Sequence, residues 1–182
     1  MNADVEKIRK ALDLTHSTPV EHAQAMPSAY YTSDAFTQLE EEHSFRKEWV
    51  CLGRADEVAA PGQYYTTSLV GEPLLVTCSK DGEISVLSNV CRHRGNIVAS
   101  GSGNKSRFSC SYHAWTYDLK GQLVGAPHMQ DVEGFDLSSC ALPAFQTEIW
   151  QGFLFVNLSR DATPLAPRLE ALVPYIENYE IG

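Results

Sequence analysis

The chain has 182 residues, enough for one well-buried domain with an appended arm, and its 43% hydrophobic and 20% charged residues are usual for a globular protein. Its formal charge of -9 argues against a nucleic-acid-binding surface, which would be basic. No apolar run approaches the roughly 20 residues of a membrane helix, and residues 1–7 lack the order of a secretory signal. We therefore expect no nucleic-acid partner, no membrane and a cytoplasmic location.

Residues 1–49 are predicted to form a helical arm. Val5, Ile8 and Leu12 recur at helical spacing and predict a first amphipathic helix. A second helix is expected to begin at a cap formed by Ser33 or Asp34 and to end near residue 49. The apolar side of this second helix would comprise Phe36, Leu39, Phe45 and Trp49.

Residues 50–160 change to a pattern of short strands. β-Branched and aromatic residues predict strands at 63–70 and 73–78, and alternating residues predict another at 84–90, after an Asp81-Gly82 hairpin turn. Extended segments are also expected around 108–112 and at 151–158, and residues 161–182 return to helical spacing. The predicted fold is mainly β, an antiparallel domain with a helical N-terminal arm and a C-terminal helix.

The five cysteines are an odd number without dense spacing, which is a poor basis for disulfides and suits a reducing compartment. Three of them, Cys51, Cys78 and Cys140, are expected to be buried thiols without a partner. Cys91 and Cys110 differ from these because a histidine follows each at short range.

Two segments each offer one thiolate and one imidazole: Cys91-Arg92-His93-Arg94-Gly95 and Cys110-Ser111-Tyr112-His113-Ala114-Trp115. A cluster of two irons and two sulfides needs four protein ligands, two for each iron. Two cysteines and two histidines satisfy this as a Rieske centre, with Cys91 and Cys110 on one iron and His93 and His113 on the other.

Three other readings of these four residues compete with the cluster. A structural zinc site also accepts two cysteines and two histidines, although a zinc finger pairs cysteine with cysteine and histidine with histidine. A redox-sensing cysteine is a second reading, but the chain has no Cys-x-x-Cys. The third is that the four residues bind nothing. Most single cysteines and histidines bind no metal, but two of each grouped between predicted strands make this reading weaker.

Both segments resemble the cluster-binding loops of the Rieske non-haem iron oxygenases, the α subunits of ring-hydroxylating and quaternary-ammonium oxygenases. The resemblance rests on 91–95 and 112–118, with support from 30–33, 45–49 and 151–158. Ser111 and Ala114 depart from the family pattern, where proline and glycine are common. Asn96 and Trp115 stand where respiratory Rieske proteins have a cysteine and a serine, which favours the oxygenase or ferredoxin branch and a potential near the low end of the Rieske range.

The resemblance implies roles for the residues around the cluster. His93 and His113 would carry electrons out towards a neighbouring α subunit, in an assembly that is commonly a homotrimer. Arg92 and Arg94 could attract an acidic electron donor or pair with local carboxylates. The residues expected beside the ligands are Arg94, Gly95, Tyr112, Trp115 and Tyr117.

The family also implies a mononuclear Fe(II), held by two histidines and a carboxylate in a catalytic domain that follows in sequence. None of the remaining histidines forms such a pair; these are His16, His22, His43 and His128. We therefore expect 161–182 to be the start of a linker towards an absent catalytic domain, mobile or packed against another copy, and the chain alone to be inactive as an oxygenase.

The predicted function is electron relay from an NAD(P)H reductase or ferredoxin to that iron, which activates O2 for hydroxylation or demethylation. A stand-alone Rieske ferredoxin is the first alternative, although such a carrier does not require the helical arm before residue 50 or the tail after residue 160. A structural zinc-binding module is the second alternative.

Overall fold

The computed structural model of the protein describes residues 3–179 and 181. The chain divides into two compact units, Met1–Lys47 and Glu48–Gly182. The finer division at residue 160, which makes the tail a linker, stays a prediction. Within the described residues, no helix is long and apolar enough to cross a membrane.

The first unit is built from three helices, α1 (Ala3–Ser17), α2 (Ser28–Thr32) and α3 (Asp34–Glu40). The predicted spacing of α1 is confirmed, because Val5 and Ile8 are buried against Phe36 of α3 and Leu12 packs at the edge of this small core. Ser33 is the cap of α3, since its side-chain Oγ accepts a hydrogen bond from the backbone N–H of Phe36 at 3.3 Å.

The second predicted helix is wrong in its C-terminal half. After α3 the chain forms a π-helical turn, Glu41–Phe45, in which the N–H of Arg46 donates to the carbonyl of Glu41 at 3.0 Å. A π turn inserts an extra residue and rotates the following side chains out of the apolar stripe. Phe45 is accordingly exposed, and Trp49 belongs to the second unit.

The second unit contains ten strands in three sheets, and every pairing is antiparallel, which confirms the predicted fold class. The sheet orders are β1-β10-β9, β4-β3-β2-β5 and β6-β7-β8. The strands are β1 (Val50–Arg54), β2 (Gln63–Leu69), β3 (Glu72–Cys78), β4 (Ile84–Ser88), β5 (Ser102–Asn104), β6 (Phe108–Ser109), β7 (Thr116–Tyr117), β8 (Leu123–Gly125), β9 (Gln146–Trp150) and β10 (Phe153–Asn157).

Two of the predicted strands are shorter in the structure because turns interrupt them. The segment predicted at 151–158 is β10 alone, since Gln151 and Gly152 have positive φ (49° and 73°) and form the turn that pairs β10 with β9. The segment around 108–112 keeps only β6, because the carbonyl of Cys110 accepts the N–H of Ala114 and begins a tight loop.

The neighbouring strands β3 and β4 have a core on both faces. Leu74 and Val76 of β3 and Val86 of β4 pack into one core with Leu154 of β10. Leu75 and Leu87, which point to the opposite face, pack into a second core that also contains Cys91, Cys110, Trp115 and Tyr117. The candidate metal ligands therefore lie on the edge of a packed apolar core.

The expectation of three buried thiols holds only for Cys78, which is fully buried on β3. Cys51 is exposed on β1 and Cys140 is half-buried in a short 3-10 turn, Leu137–Cys140. The tendency of free cysteines to be buried does not show whether other residues cover a particular position.

The tail forms α4 (Ala166–Leu169), α5 (Val173–Ile176) and short 3-10 turns rather than one helix, since a proline stands in the first turn of each helix. Polar contacts attach it within the second unit. The Trp49 indole donates to the Thr163 carbonyl at 2.8 Å, and Arg168 pairs with Glu48 at 2.7 Å. The expectation that this segment is mobile or packs on another copy stays a prediction.

Candidate metal centre

The candidate ligands lie on two loops of the second unit. Loop 1, residues 89–99, follows β4, and loop 2, residues 110–115, connects β6 to β7. Loop 1 is closed at its base by Asn89, which is 3% exposed and whose side-chain amide exchanges two hydrogen bonds with the backbone of Ala99, at 2.9 Å and 2.8 Å. Both polar atoms of this buried amide are thereby satisfied. The Asn89 side chain thus holds the end of loop 1 next to its beginning, with the pair of hydrogen bonds that a neighbouring strand would make.

The two loops share one backbone pattern. In loop 1, the N–H of Gly95 donates to the carbonyl of Cys91 at 3.0 Å, and the N–H of Cys91 donates to the carbonyl of Asn96 at 2.8 Å. In loop 2, the N–H of Ala114 donates to the carbonyl of Cys110 at 2.9 Å and the N–H of Cys110 to the carbonyl of Trp115 at 2.8 Å. Each loop is thus a closed turn that starts from its cysteine.

The residue four positions after each cysteine has a left-handed backbone. Gly95 has φ of 70° and Ala114 has φ of 57°. Glycine adopts this conformation freely, whereas a residue with a Cβ is strained there by about 1–2 kcal/mol. Gly95 therefore closes loop 1 without backbone strain, and the Ala114 departure from the family pattern introduces strain into loop 2.

The structure brings the four candidate ligands together. Cys91 and Cys110 are each 3% exposed and belong to the same buried core. The imidazole rings of His93 and His113 meet edge to face with their centroids 4.6 Å apart. His93 is half-buried and His113 is exposed, so the centre has a protein side and a solvent side.

Aromatic side chains orient both imidazoles. The His93 ring stacks on Trp115, with centroids 4.8 Å apart and 12° between the planes, and Trp115 is buried against Phe135. The centroid of the His113 ring lies 3.8 Å from the ring centroid of Tyr112, which is exposed. His93 is therefore held from within the core, while His113 and Tyr112 face outwards.

The Nδ1 atom of His93 is a buried polar atom with no hydrogen-bond partner among the described residues. An unsatisfied buried nitrogen costs free energy, and a bond to a metal removes this cost. Burial, and then the nearby His113 and Arg94, hold the pKa of His93 below its ordinary value, which favours the neutral ring that a metal requires. The donor set and this orphaned atom fit an iron–sulfur cluster.

Hydrogen-bond donors surround the two thiols. The Tyr117 hydroxyl lies 3.3 Å from the Cys91 sulfur and accepts the backbone N–H of Arg92 at 3.0 Å, which leaves the phenol hydrogen free to point at the sulfur. Burial, and then the contact with Cys91, raise the pKa of Tyr117, so it stays a neutral donor.

Cys110 is placed so that its thiolate is stabilised. Burial opposes its ionisation, but hydrogen bonds from the Tyr112 N–H, the Asn96 side chain, Cys91 and the His113 N–H outweigh it and hold the pKa of Cys110 below its ordinary value. The Asn96 amide nitrogen lies 3.7 Å from the Cys110 sulfur. Nothing in the sequence marked Asn89, and Asn96 stood out only as a departure from the respiratory Rieske pattern, without its hydrogen bond to Cys110.

Among residues 3–179 and 181, no group of three or more histidine, cysteine or carboxylate side chains is arranged to hold a single metal ion. A mononuclear site with two histidines and a carboxylate would need such a group of three. A cluster that takes only two protein ligands on each iron would not. An open cavity of about 700 Å³ lies beside the two loops. Its lining includes His93, His113, Trp115, His128 and Met129.

Comparisons with known proteins find relatives over most of the chain. Residues 48–136 match the family "Rieske [2Fe-2S] domain". The chain is 36% identical over 148 residues to the carnitine monooxygenase oxygenase subunit of Acinetobacter baumannii, covering 81% of this chain and 40% of that protein. It is 37% identical over 142 residues to the chloroplastic choline monooxygenase of Spinacia oleracea, covering 78% and 32%.

A solved structure shares the fold as well. The chain superposes on naphthalene 1,2-dioxygenase from Rhodococcus sp. bound to indole with a TM-score of 0.86, at 28% identity, covering 97% of this chain and 40% of that one. The chain therefore spans less than half the length of each of these relatives.

Gly95 and Ala114 give a matched pair of stability predictions. Strain of about 1–2 kcal/mol in an alanine at positive φ is partly offset by about 0.4–1 kcal/mol from the more restricted unfolded chain. Gly95→Ala should lower the free energy of unfolding by about 1 kcal/mol, and Ala114→Gly should raise it by a similar amount. No atom lies within 4 Å of a Cβ added at Gly95, so the backbone alone decides the first value. Urea denaturation of the metal-loaded protein measures both, and a loss of stability in both variants would contradict the strain.

Tyr117→Phe tests the hydrogen bond to Cys91. Removing the hydroxyl takes a donor from a thiolate that gains negative charge when the expected cluster is reduced, so the reduced form loses more stability than the oxidised form. The reduction potential should fall by on the order of 59 mV, which is tenfold in a one-electron equilibrium. A redox titration with Tyr64→Phe as the matched control measures this, because Tyr64 is buried in the same core and contacts Phe108. An equal shift in both variants would contradict the assignment.

Proposed function

Because this chain belongs to the Rieske [2Fe-2S] proteins and is homologous to Rieske oxygenases, we propose that Cys91 and Cys110 bind one iron of the cluster and His93 and His113 bind the other. The observation that carries the proposal is that two buried thiols of one core lie on loops whose two imidazoles meet, one of them with an orphaned buried nitrogen. When bound, the cluster supplies a centre that gains and loses one electron at roughly -150 to +300 mV.

The protein groups around the thiols stabilise negative charge at the two cysteines. Tyr117 donates to Cys91, and Asn96 with two backbone N–H groups donates to Cys110. Such charge-assisted hydrogen bonds are about twice as strong as neutral ones. Trp115 fixes the plane of His93 and excludes water from its buried face. These residues hold the donor set in one arrangement, so little reorganisation accompanies electron transfer.

The exposed side of the centre is the proposed route for electrons. His113 and Tyr112 face solvent, and Arg94 of loop 1 is exposed and lines the same cavity. Arg92 of loop 1 is exposed as well. Opposite charge speeds encounter more than it strengthens binding, so these arginines suit an acidic donor protein that must bind and leave quickly. We propose that the donor is an NAD(P)H reductase or ferredoxin, and that His93 or His113 leads the electron out.

In the full-length protein, the electron would pass to a mononuclear iron that activates O2 for hydroxylation or demethylation. That iron would lie in the part of the relatives' length that this chain does not span, since residues 3–179 and 181 hold no group of three suitable ligands. The relatives are named for carnitine, choline and naphthalene, so several small organic substrates are compatible with this domain. Neighbouring α subunits, as a homotrimer, are the proposed assembly.

A stand-alone ferredoxin is the second candidate, and a structural zinc module is the third. The similarity to oxygenase subunits extends over 78–97% of the chain, which includes segments outside the cluster domain and favours the oxygenase over the carrier. The distinction from zinc is chemical, because a zinc site contains no sulfide and takes all four ligands on one ion.

Metal analysis of the anaerobically purified protein tests the proposal. We expect about two irons and two acid-labile sulfides per chain and no stoichiometric zinc. Cys110→Ser should lose both iron and sulfide, since one thiolate of the pair is gone. Cys51→Ser is the matched control, because Cys51 is exposed on β1, outside the site, and this variant should keep both. One zinc per chain without sulfide would overturn the proposal.

A further inference from the structure

The side chain of Asn96 connects the two loops. Its amide nitrogen lies 3.0 Å from the carbonyl of Ile97 in loop 1, and 3.3 Å from the Ser111 hydroxyl and 3.7 Å from the Cys110 sulfur in loop 2. An amide nitrogen carries two hydrogens. One points to Ile97, and the other is shared between the hydroxyl and the sulfur, which are neighbours in the chain. Asn96 therefore donates from one loop to a cysteine of the other.

Trp115 has the corresponding position in loop 2. Asn96 is five residues after Cys91 and directly follows Gly95, while Trp115 is five residues after Cys110 and directly follows Ala114. Trp115 also reaches across, because it stacks on His93 of loop 1. The residue after each left-handed position thus contacts a candidate ligand of the opposite loop. This reciprocity follows from the shared hydrogen-bond pattern, which turns the side chain five residues after each cysteine towards the other loop.

We propose that Asn96 is a positioning residue which fixes Cys110 relative to loop 1 and raises the reduction potential of the cluster, an inference that rests on the proposed function. The amide hydrogen stabilises negative charge on the Cys110 sulfur, and this charge is greater when the cluster is reduced. With Tyr117 acting on Cys91, each of the two thiols receives one side-chain donor. The hydroxyl donor expected to be missing at residue 115 is thus replaced by an amide donor from the other loop.

Ser111 is the partner that aims the amide. Its hydroxyl holds the Asn96 nitrogen at 3.3 Å, and a proline, common in related sequences at this position, would supply no such acceptor. The pairing of asparagine at 96 with serine at 111 gives the two loops a polar connection that does not depend on a disulfide. Asn96 is half-buried and Ser111 is exposed, and both side chains are neutral, so the connection buries no charge of its own.

The test is a redox titration of the cluster-loaded chain, followed by EPR, with three variants. Asn96→Leu keeps the branched shape but removes the donor, and it should shift the one-electron equilibrium towards the oxidised form about tenfold, or about 59 mV. Ser111→Ala is the matched control at the same contact, because it removes the hydroxyl but leaves the donor to Cys110, and it should shift the equilibrium less than half as far on the mV scale. Asn96→Ser restores a shorter donor and should lie between wild type and Asn96→Leu.

The outcomes separate this inference from the proposed function. If the wild-type chain shows no Rieske-type EPR signal, the proposed function fails and the inference fails with it. If wild type shows the signal and Asn96→Leu has an unchanged potential, only the inference is overturned. If Asn96→Leu does not assemble a cluster, the comparison passes to Asn96→Ser, whose potential must fall below that of wild type while Ser111→Ala stays closer to it. A larger shift in Ser111→Ala than in either Asn96 variant would also overturn the inference.

Discussion

Two cysteine sulfurs, those of Cys91 and Cys110, belong to one apolar core, where both must carry negative charge when they bind iron. Burial opposes this charge, and each sulfur repels the other. The surrounding structure meets the constraint with hydrogen bonds from Tyr117, from Asn96 and from backbone N–H groups at the start of loop 2. The closed turn of loop 2 contributes to this, because it directs the N–H groups of Tyr112 and His113 towards the Cys110 sulfur.

The sheet β4-β3-β2-β5 gives this site a rigid base. Its strands β3 and β4 are buried on both faces, so the loop that leaves β4 starts from a fixed position. The side-chain amide of Asn89 then ties residue 99 back to the start of this loop. The imidazoles extend beyond this base at different depths, with His93 under Trp115 and His113 in solvent. The buried cysteines retain charge while the exposed histidine can meet a partner, which suits a protein that passes single electrons.

The strand-rich centre and the helical ends could be predicted from the sequence, because alternation and helical spacing are local signals. The motif spacing also predicted two segments that each carry a cysteine and a histidine, and their binding of one cluster stays a prediction. The features that depend on contacts between distant segments could not be predicted. The π-helical turn that exposes Phe45 and the exposure of Cys51 have no local signature. The Asn89–Ala99 and Asn96–Cys110 hydrogen bonds join residues ten and fourteen positions apart, and any polar loop residue could occupy those positions. The family pattern indicated glycine where Ala114 stands, but only the backbone angle reveals the strain.

Pulsed EPR of the reduced protein, produced with 15N-labelled histidine, tests the ligand assignment most directly. Two histidine nitrogens bound to the reduced iron should give two resolved 15N couplings. His113→Cys should leave one, while His128→Ala, which changes a histidine in the wall of the neighbouring cavity, should leave both. A reduced cluster without 15N couplings, or with couplings that disappear in His128→Ala, would contradict the assignment of His93 and His113 to one iron.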